Sequence, residues 1–175
     1  RLGYKLDDLS RPGARLMRGP LASPEFKGQF SGHETFPLRH LWLKKAFDQV
    51  LRAKPSVGKG LFSDPQAIVT FGVGKNMVSA IRYWALACRM IEETGAGFAV
   101  TPLGRYLLDG EEGRDPFLES PASWWLLHWL IAGSPKRTTT WYFAFNHHHS
   151  HSFDQEELVE SIRQLCVERG WTRAS

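Results

Sequence analysis

The sequence predicts a mainly α-helical protein with a small β-wing, in which a winged helix-turn-helix precedes an aromatic-rich helical subdomain. Three observations support this fold class. Apolar residues recur at helical spacing in several segments, a glycine-containing tight turn divides the second segment from the third, and a short β-prone stretch follows the third. Helix, helix, tight turn, longer helix, strand and helix is the order of a winged helix-turn-helix.

The chain divides into three predicted parts. Residues 1–29 hold three prolines and four glycines without sustained periodicity, which predicts an irregular N-terminal arm. Residues 30–112 form the predicted winged helix-turn-helix, a DNA-binding domain. Residues 113–175 form the helical subdomain, which we expect to be truncated, with the helix from Asp154 and the residues after it as the start of a further module.

The composition is that of a packed globular protein. Of the 175 residues, 42% are hydrophobic and 13% are aromatic, which is ample material for a core. No run approaches the roughly 18 to 20 apolar residues that cross a bilayer, and no secretory signal begins the chain, so we expect no membrane segment and a cytoplasmic location. Because Cys88 and Cys166 lie far apart on apolar helical faces, we expect reduced thiols.

The first helix is predicted from Leu38 onward, where apolar residues recur at helical spacing for about four turns. Residues 30–39, with the sequence FSGHETFPLR, lead into it. In a structural interpretation, Thr35 caps this helix, Pro37 lies in its first turn, and Phe30 and Phe36 fix where the chain enters it.

The same ten residues have a chemical interpretation, and both interpretations stay open. His33 is a candidate general base or metal ligand, and Glu34 is a candidate to bind a divalent ion or to orient that histidine. Arg39 is a candidate to neutralise a phosphate. Histidine, carboxylate and arginine in one short loop exceed what a helix cap requires, so these three are our candidate catalytic residues.

Two further helices flank the tight turn. The Ser-Asp-Pro sequence at 63–65 supplies an oxygen cap and a proline, and the apolar run that ends at Phe71 predicts a short second helix. The glycines of residues 72–74 end it. The third helix is predicted from Lys75 to a glycine stop at Gly95.

A wing and a fourth helix are predicted next. Residues 97–100 are short and apolar, as expected for a strand. Thr101 is the predicted cap of the fourth helix.

One face of the third helix is polar and cationic, opposite its apolar stripe. Such a face suits the major groove of DNA, although an ordinary solvated surface is the alternative. The candidate DNA-binding residues are Lys75, Ser79, Arg82 and Arg89, with Asn76 and Tyr83 beside them.

The second half of the chain is rich in aromatic residues. Residues 120–133, SPASWWLLHWLIAG, are apolar on almost every face and too short for a membrane, so we predict a buried helix with its tryptophans in the core. Residues 138–146 predict a second aromatic helix packed on the first. Stacking of the tryptophans on nucleic-acid bases is the alternative.

A histidine cluster separates these helices from the last one. His147, His148, His149 and His151 carry ring nitrogens that zinc or nickel accepts, but neighbouring positions point in different directions, so we assign no metal ligands. Asp154 is the predicted cap of a helix that reaches about Leu165.

Positive charge is gathered in the first third of the chain. Residues 1–60 carry 12 Lys and Arg against 5 Asp and Glu, a local charge of +7, whereas the whole chain has +4. This asymmetry favours a polyanionic partner such as double-stranded DNA, and a solvated basic surface without a partner is the alternative.

Several motifs together resemble the bacterial domain-of-unknown-function 4007 family, which accompanies DNA phosphorothioation defence systems. The motifs are FSGHETFPLRHLWLKKAFD from Phe30, FGVGKNMVSAIRYW from Phe71, VTPLGRYLLDG from Val100, and the DPFLESPASWWLLHWLI and TTTWYFAFN segments. The resemblance runs from Phe30 to about Trp171 and is to the amino-terminal part of longer family members.

The resemblance implies work on DNA in a sulfur-modification pathway, in which a nick in one strand prepares the backbone for sulfur. Two functions stay open: a DNA nicking endonuclease that uses magnesium or manganese, and a non-catalytic DNA-binding adaptor or regulator that recruits the modification enzymes. The implied partners are double-stranded DNA and other phosphorothioation-system proteins, and a homodimer is an expected form. The chain lacks the multi-carboxylate cluster typical of metal-dependent nucleases.

Overall fold

The computed structural model describes residues 19–53, 58–150 and 152–171. This part of the chain is mainly helical with a small two-stranded antiparallel sheet, as predicted. The elements are α1 (Trp42–Arg52), α2 (Ala67–Phe71), α3 (Lys75–Ala87), β1 (Ile91–Thr94), β2 (Gly97–Val100), α4 (Pro102–Leu108), α5 (Pro121–Ala132), α6 (Thr139–Asn146) and α7 (Gln155–Glu168). Short 3-10 helices at Gly19–Ala22 and Gly58–Phe62 precede α1 and α2.

The main core is built around α3, whose apolar stripe packs on α1. Phe47 of α1 and Trp84 of α3 are among its largest fully buried side chains, and Leu127 of α5 belongs to the same cluster. Apolar residues three and four positions apart share one face of a helix, so the spacing in the sequence places each of these side chains inward.

The strands form a hairpin beside this core, with Ile91 opposite Val100 and Thr94 opposite Gly97. Phe98 of β2 meets the ring of Phe62 edge to face, with 4.9 Å between ring centroids. The hairpin is therefore held against the 3-10 helix at Gly58–Phe62.

Two predicted helix caps and the turn at residues 72–74 are confirmed. Thr101 Oγ1 accepts a hydrogen bond from Gly104 N at 2.9 Å, and Asp154 forms a capping box with Glu157. The cap predicted for α2 at residues 63–65 is wrong, because α2 begins at Ala67 without a side-chain cap, and Asp64 Oδ1 instead accepts a bond from Gln66 N in the turn before it. These devices join residues two or three apart, so local sequence determines them.

The first helix begins at Trp42, four residues later than the predicted Leu38, so the cap predicted at Thr35 is wrong. Proline disfavours helical geometry in the residue before it. Pro37 therefore keeps Phe36 out of a helix and lies in the connecting segment itself.

The third helix ends at Ala87, well before the predicted stop at Gly95. Arg89 takes a positive φ of 57°, which turns the chain out of the helix. The residues that follow, Ile91–Thr94, pair with Gly97–Val100, so the predicted single strand has a partner. Burial of Ile91 and the sheet hydrogen bonds outweigh the helical preference of this segment.

The predicted burial of the first aromatic helix is wrong for one of its faces. Leu127 and Ile131 of α5 reach the core, but Trp125 is 72% exposed and Trp129 is 71% exposed. Phe145 of α6 is also exposed and joins this aromatic surface. When a helix is apolar on all sides, its sequence does not reveal which side packs against the rest of the protein.

The described part of the N-terminal arm packs on the last helices. Leu21 is fully buried in a second small cluster with Phe143 and Leu165. Trp171 Nε1 donates a hydrogen bond to Phe26 O at 3.1 Å. The first 18 residues of the predicted arm lie outside the described residues.

No helix in the described ranges is both long enough and apolar enough to span a bilayer. Both cysteines are free thiols, as predicted, with Cys88 buried and Cys166 half-buried. Burial raises the pKa of the Cys88 thiol to about 12, so it stays protonated.

Candidate nucleic-acid interface

The outer face of α3 carries a cationic stripe. Lys75 and Arg82 are seven residues apart, which is two helical turns, and both are exposed. Asn76 is exposed beside Lys75, and Ser79 between them is half-buried. Neither cation of the stripe has an ion pair within the described part of the chain, so both are free to meet an external anion.

The two remaining residues predicted on this face lie elsewhere. Tyr83 is only 5% exposed, so its predicted place beside the exposed face is wrong. Its hydroxyl donates a hydrogen bond to Arg137 O at 2.6 Å. Arg89 is exposed, but it follows the end of α3 rather than extending the helix.

A strained turn precedes α1. Glu34 and Thr35 have φ values of 51° and 63°, and Phe36 N donates to His33 O at 2.9 Å, which closes the turn. Positive φ is uncommon for residues other than glycine and is a true outlier for a β-branched threonine. Such strain persists where surrounding structure imposes it, and it clusters at functional sites.

His33 lies in an aromatic box. Its ring stacks on Trp84 with 5.9 Å between centroids, and it meets Tyr83 and Trp141 edge on at 5.5 and 6.2 Å. Its Nδ1 is buried and has no hydrogen-bond partner among the described residues. The histidine is therefore half-buried and packed on α3 and α6.

The three candidate catalytic residues are not joined by contacts of their side chains in the described structure. The guanidinium of Arg39 lies over the rings of Phe36 and Trp42 at 5.4 and 5.3 Å, and Glu34 is exposed. In the described ranges no group of three or more His, Cys, Asp or Glu side chains is arranged to hold a metal ion.

A groove with both charged and apolar lining residues opens where α3 ends. It lies between the hairpin, the start of α4 and the loop that joins α5 to α6. Its charged lining residues are Arg89, Glu92, Glu93, Lys136 and Arg137. The loop residues Lys136 and Arg137 were missed by the sequence reasoning, because a Pro-Lys-Arg sequence between two helices carries no periodic signal and only the fold places it beside α3.

Two histidines of the cluster are partly buried beside aromatic rings. His147 Nε2 and both ring nitrogens of His148 are buried without partners in the described residues. Burial, and to a smaller extent the charge of His149, lower the pKa of His147 below its usual range. His151 lies outside the described residues.

Comparison with known proteins adds a family and two solved structures. Residues 30–175 match the family described as "Protein of unknown function (DUF4007)". No curated protein matches the chain.

Two crystal structures of proteins called SspB are similar to it, each at 36% identity. The magnesium ion-bound one has a TM-score of 0.68 over 79% of this chain, and the other has a TM-score of 0.67 over 78%. This chain spans 42% of the length of each SspB chain.

Proposed function

Because this chain belongs to the DUF4007 family, we propose that it is the double-stranded-DNA-binding part of a protein that acts in DNA phosphorothioation. The similar structures carry the name SspB, which is the name of a phosphorothioation-system protein. The family resemblance of the sequence motifs implies the same pathway.

The cationic stripe of α3 is the observation that carries DNA binding. Lys75 and Arg82 project from a helix whose other side is buried, and the hairpin of β1 and β2 follows that helix directly. This order supports the proposal of a winged helix-turn-helix, a motif whose second helix enters the major groove. Under the proposal, α3 is that helix and the hairpin is the wing.

Strand nicking is the finer part of the proposal, and the strained turn at Glu34 and Thr35 favours it over a purely adaptor role. His33 is the proposed general base, which takes the proton of the attacking water. Because Nδ1 is buried, Nε2 is the ring nitrogen that is left for this role. Arg39 is the proposed partner of the phosphate, and Glu34 the proposed residue that orients the water or an ion.

Magnesium or manganese stays a prediction. One SspB structure is magnesium ion-bound. Mg²⁺ in nucleic-acid enzymes is held by one or two carboxylates with phosphate and water. Among the described residues, Glu34 in the loop is a carboxylate that a metal accepts, but no cluster of three or more His, Cys, Asp or Glu side chains is arranged to hold one. We therefore assign no step to a metal.

Two assays test the proposal. Duplex DNA binding, followed by fluorescence anisotropy, should weaken by about 1 to 3 kcal/mol in Arg82→Ala if this residue contacts a base edge. Unchanged affinity of Lys75→Ala, Arg82→Ala and the double variant would remove α3 from the interface.

Supercoiled plasmid incubated with the protein and magnesium or manganese should become open circular if the protein nicks DNA. Persistence of supercoiled plasmid together with tight duplex binding would favour the adaptor or regulator instead.

A further inference from the structure

We propose that the groove at the end of α3 binds the phosphodiester backbone of DNA, with Arg89 and Lys136 as its phosphate-contacting residues. This inference rests on the proposed function and extends the interface beyond the helix that enters the major groove. It assigns a contact to the loop between α5 and α6, which lies outside the winged helix-turn-helix.

Two of the cationic side chains that line the groove have no ion pair in the described part of the chain. Arg137 is paired with Glu93, with 2.7 Å between Nη2 and Oε2. Arg89 and Lys136 are exposed and have no ion pair within the described ranges. Glu92 is the second carboxylate of the lining, so the five charged residues together carry a net charge of +1.

The groove lies at the end of the cationic stripe of α3. Leu86 and Ala87, from the last turn of the helix, line it together with Arg89. Leu86 follows Arg82 by four residues and therefore lies one turn further along the same side. From Lys75 to Ala87 the helix rises by roughly 18 Å at 1.5 Å per residue, which is the rise of about five base pairs of duplex.

The loop that carries Lys136 is held in place by hydrogen bonds. Tyr83 Oη donates to Arg137 O at 2.6 Å, which fixes the loop to α3. Thr138 Oγ1 lies 2.8 Å from Ile131 O and 2.9 Å from Ser134 O, so its hydroxyl closes the loop from within. The backbone of a loop fixed in this way loses little freedom on binding, so only the side chain of Lys136 has to become ordered in a contact.

Duplex binding measured against salt tests the inference. We expect Lys136→Ala and Arg89→Ala each to weaken binding several-fold, equally for unrelated duplex sequences, because phosphates carry no sequence information. Each variant should also lower the slope of log affinity against log salt by about 1, since one phosphate contact is lost. Arg163→Ala on α7 is the control, because Arg163 is an exposed cation outside the lining of the groove, where it lies 3.7 Å from Glu160.

Arg82→Ala separates failure of this inference from failure of the proposed function. If Arg82→Ala weakens binding while Lys136→Ala and Arg89→Ala match wild type in affinity and salt slope, the groove is not a phosphate site and the proposed function stands. If wild-type protein binds no duplex, both are wrong. An unchanged melting temperature of Lys136→Ala would show that its weaker duplex binding does not come from unfolding.

Discussion

The hydroxyl of Tyr83 donates a 2.6 Å hydrogen bond to the backbone carbonyl of Arg137, 54 positions further along the chain. This bond connects α3 to the loop between α5 and α6. The ring of the same tyrosine meets His33 edge on, with 5.5 Å between centroids. One buried side chain therefore contacts both the strained turn and the loop of the proposed phosphate site.

Tyr83→Phe tests this connection, because it removes the hydroxyl and keeps the ring. We expect a loss of about 0.5 to 1.5 kcal/mol in the free energy of unfolding, the usual net contribution of one hydrogen bond. Urea denaturation measures it, and equal stability of the two proteins would contradict the bond.

Alkaline pH offers a second measurement on the same residue. Burial raises the pKa of Tyr83 to about 12 from its usual 10, with a smaller opposing effect of the Arg137 charge. The folded state holds the proton of the Tyr83 hydroxyl more tightly than the unfolded chain does. The contribution of this hydroxyl to the free energy of unfolding is therefore complete below pH 10 and is lost as pH rises towards 12. The stability advantage over Tyr83→Phe should therefore shrink across this interval.

Thr35→Gly tests the strained turn. Glycine adopts positive φ without steric cost, whereas threonine at φ 63° is strained, so the substitution should change stability little or raise it by up to about 1 kcal/mol. Replacing a helix cap with glycine would instead lose a few tenths of a kcal/mol, so a gain in stability is the outcome that distinguishes the strained turn from a cap. Destabilisation by more than 1 kcal/mol in urea unfolding would show that the turn differs from the one described.

Two substitutions of His33 distinguish a packing role of its ring from a catalytic role. His33→Ala should cost about 1 to 3 kcal/mol of stability, because the ring contacts with Tyr83, Trp84 and Trp141 are lost. His33→Phe keeps a ring in the aromatic box and serves as the matched variant. If His33 is the general base, His33→Phe should retain stability and duplex affinity but nick plasmid at least about a hundredfold more slowly. Nicking at the wild-type rate by His33→Phe would limit His33 to packing.

The features that could be predicted from the sequence are those set by neighbouring residues. Thr101 and Asp154 accept bonds from backbone amides three residues away, and Gly72 ends α2 with a φ of 62°, so each follows from local rules. The end of α3 could not be predicted, because a hairpin partner and burial of Ile91 decide it. His33 was singled out for its chemistry, but its aromatic box comes from α3 and α6, which only the fold brings together.

The exposed aromatic surface of α5 predicts the response of tryptophan fluorescence to a quencher. Trp125 and Trp129 are largely exposed, whereas Trp42 is buried. Replacing both exposed residues with phenylalanine should remove most of the fraction that acrylamide quenches. Trp42→Phe should leave the intensity that acrylamide quenches unchanged, and a loss of similar size in both proteins would place the indoles of α5 in the core.

Acid pH should weaken the fold through His147. Its Nε2 is buried without a partner among the described residues, and burial, followed by the charge of His149, lowers its pKa below the usual 6.5. The unfolded chain therefore binds a proton at a higher pH than the folded protein does. The stabilisation is complete above pH 6.5 and is lost as pH falls through the lowered pKa, with a slope of at most about 1.4 kcal/mol per pH unit for one proton.

His147→Phe is the matched variant, because a ring can still meet Tyr142 and Phe143 while the titrating nitrogens are gone. Urea unfolding of both proteins between pH 8 and pH 5 should give a flatter decline for the variant. His149→Asn, which replaces the exposed neighbour, should leave most of the decline in place, because burial is the larger cause of the shift. Parallel curves for wild type and His147→Phe would mean that His147 is solvated and that the cluster does not pack against α6.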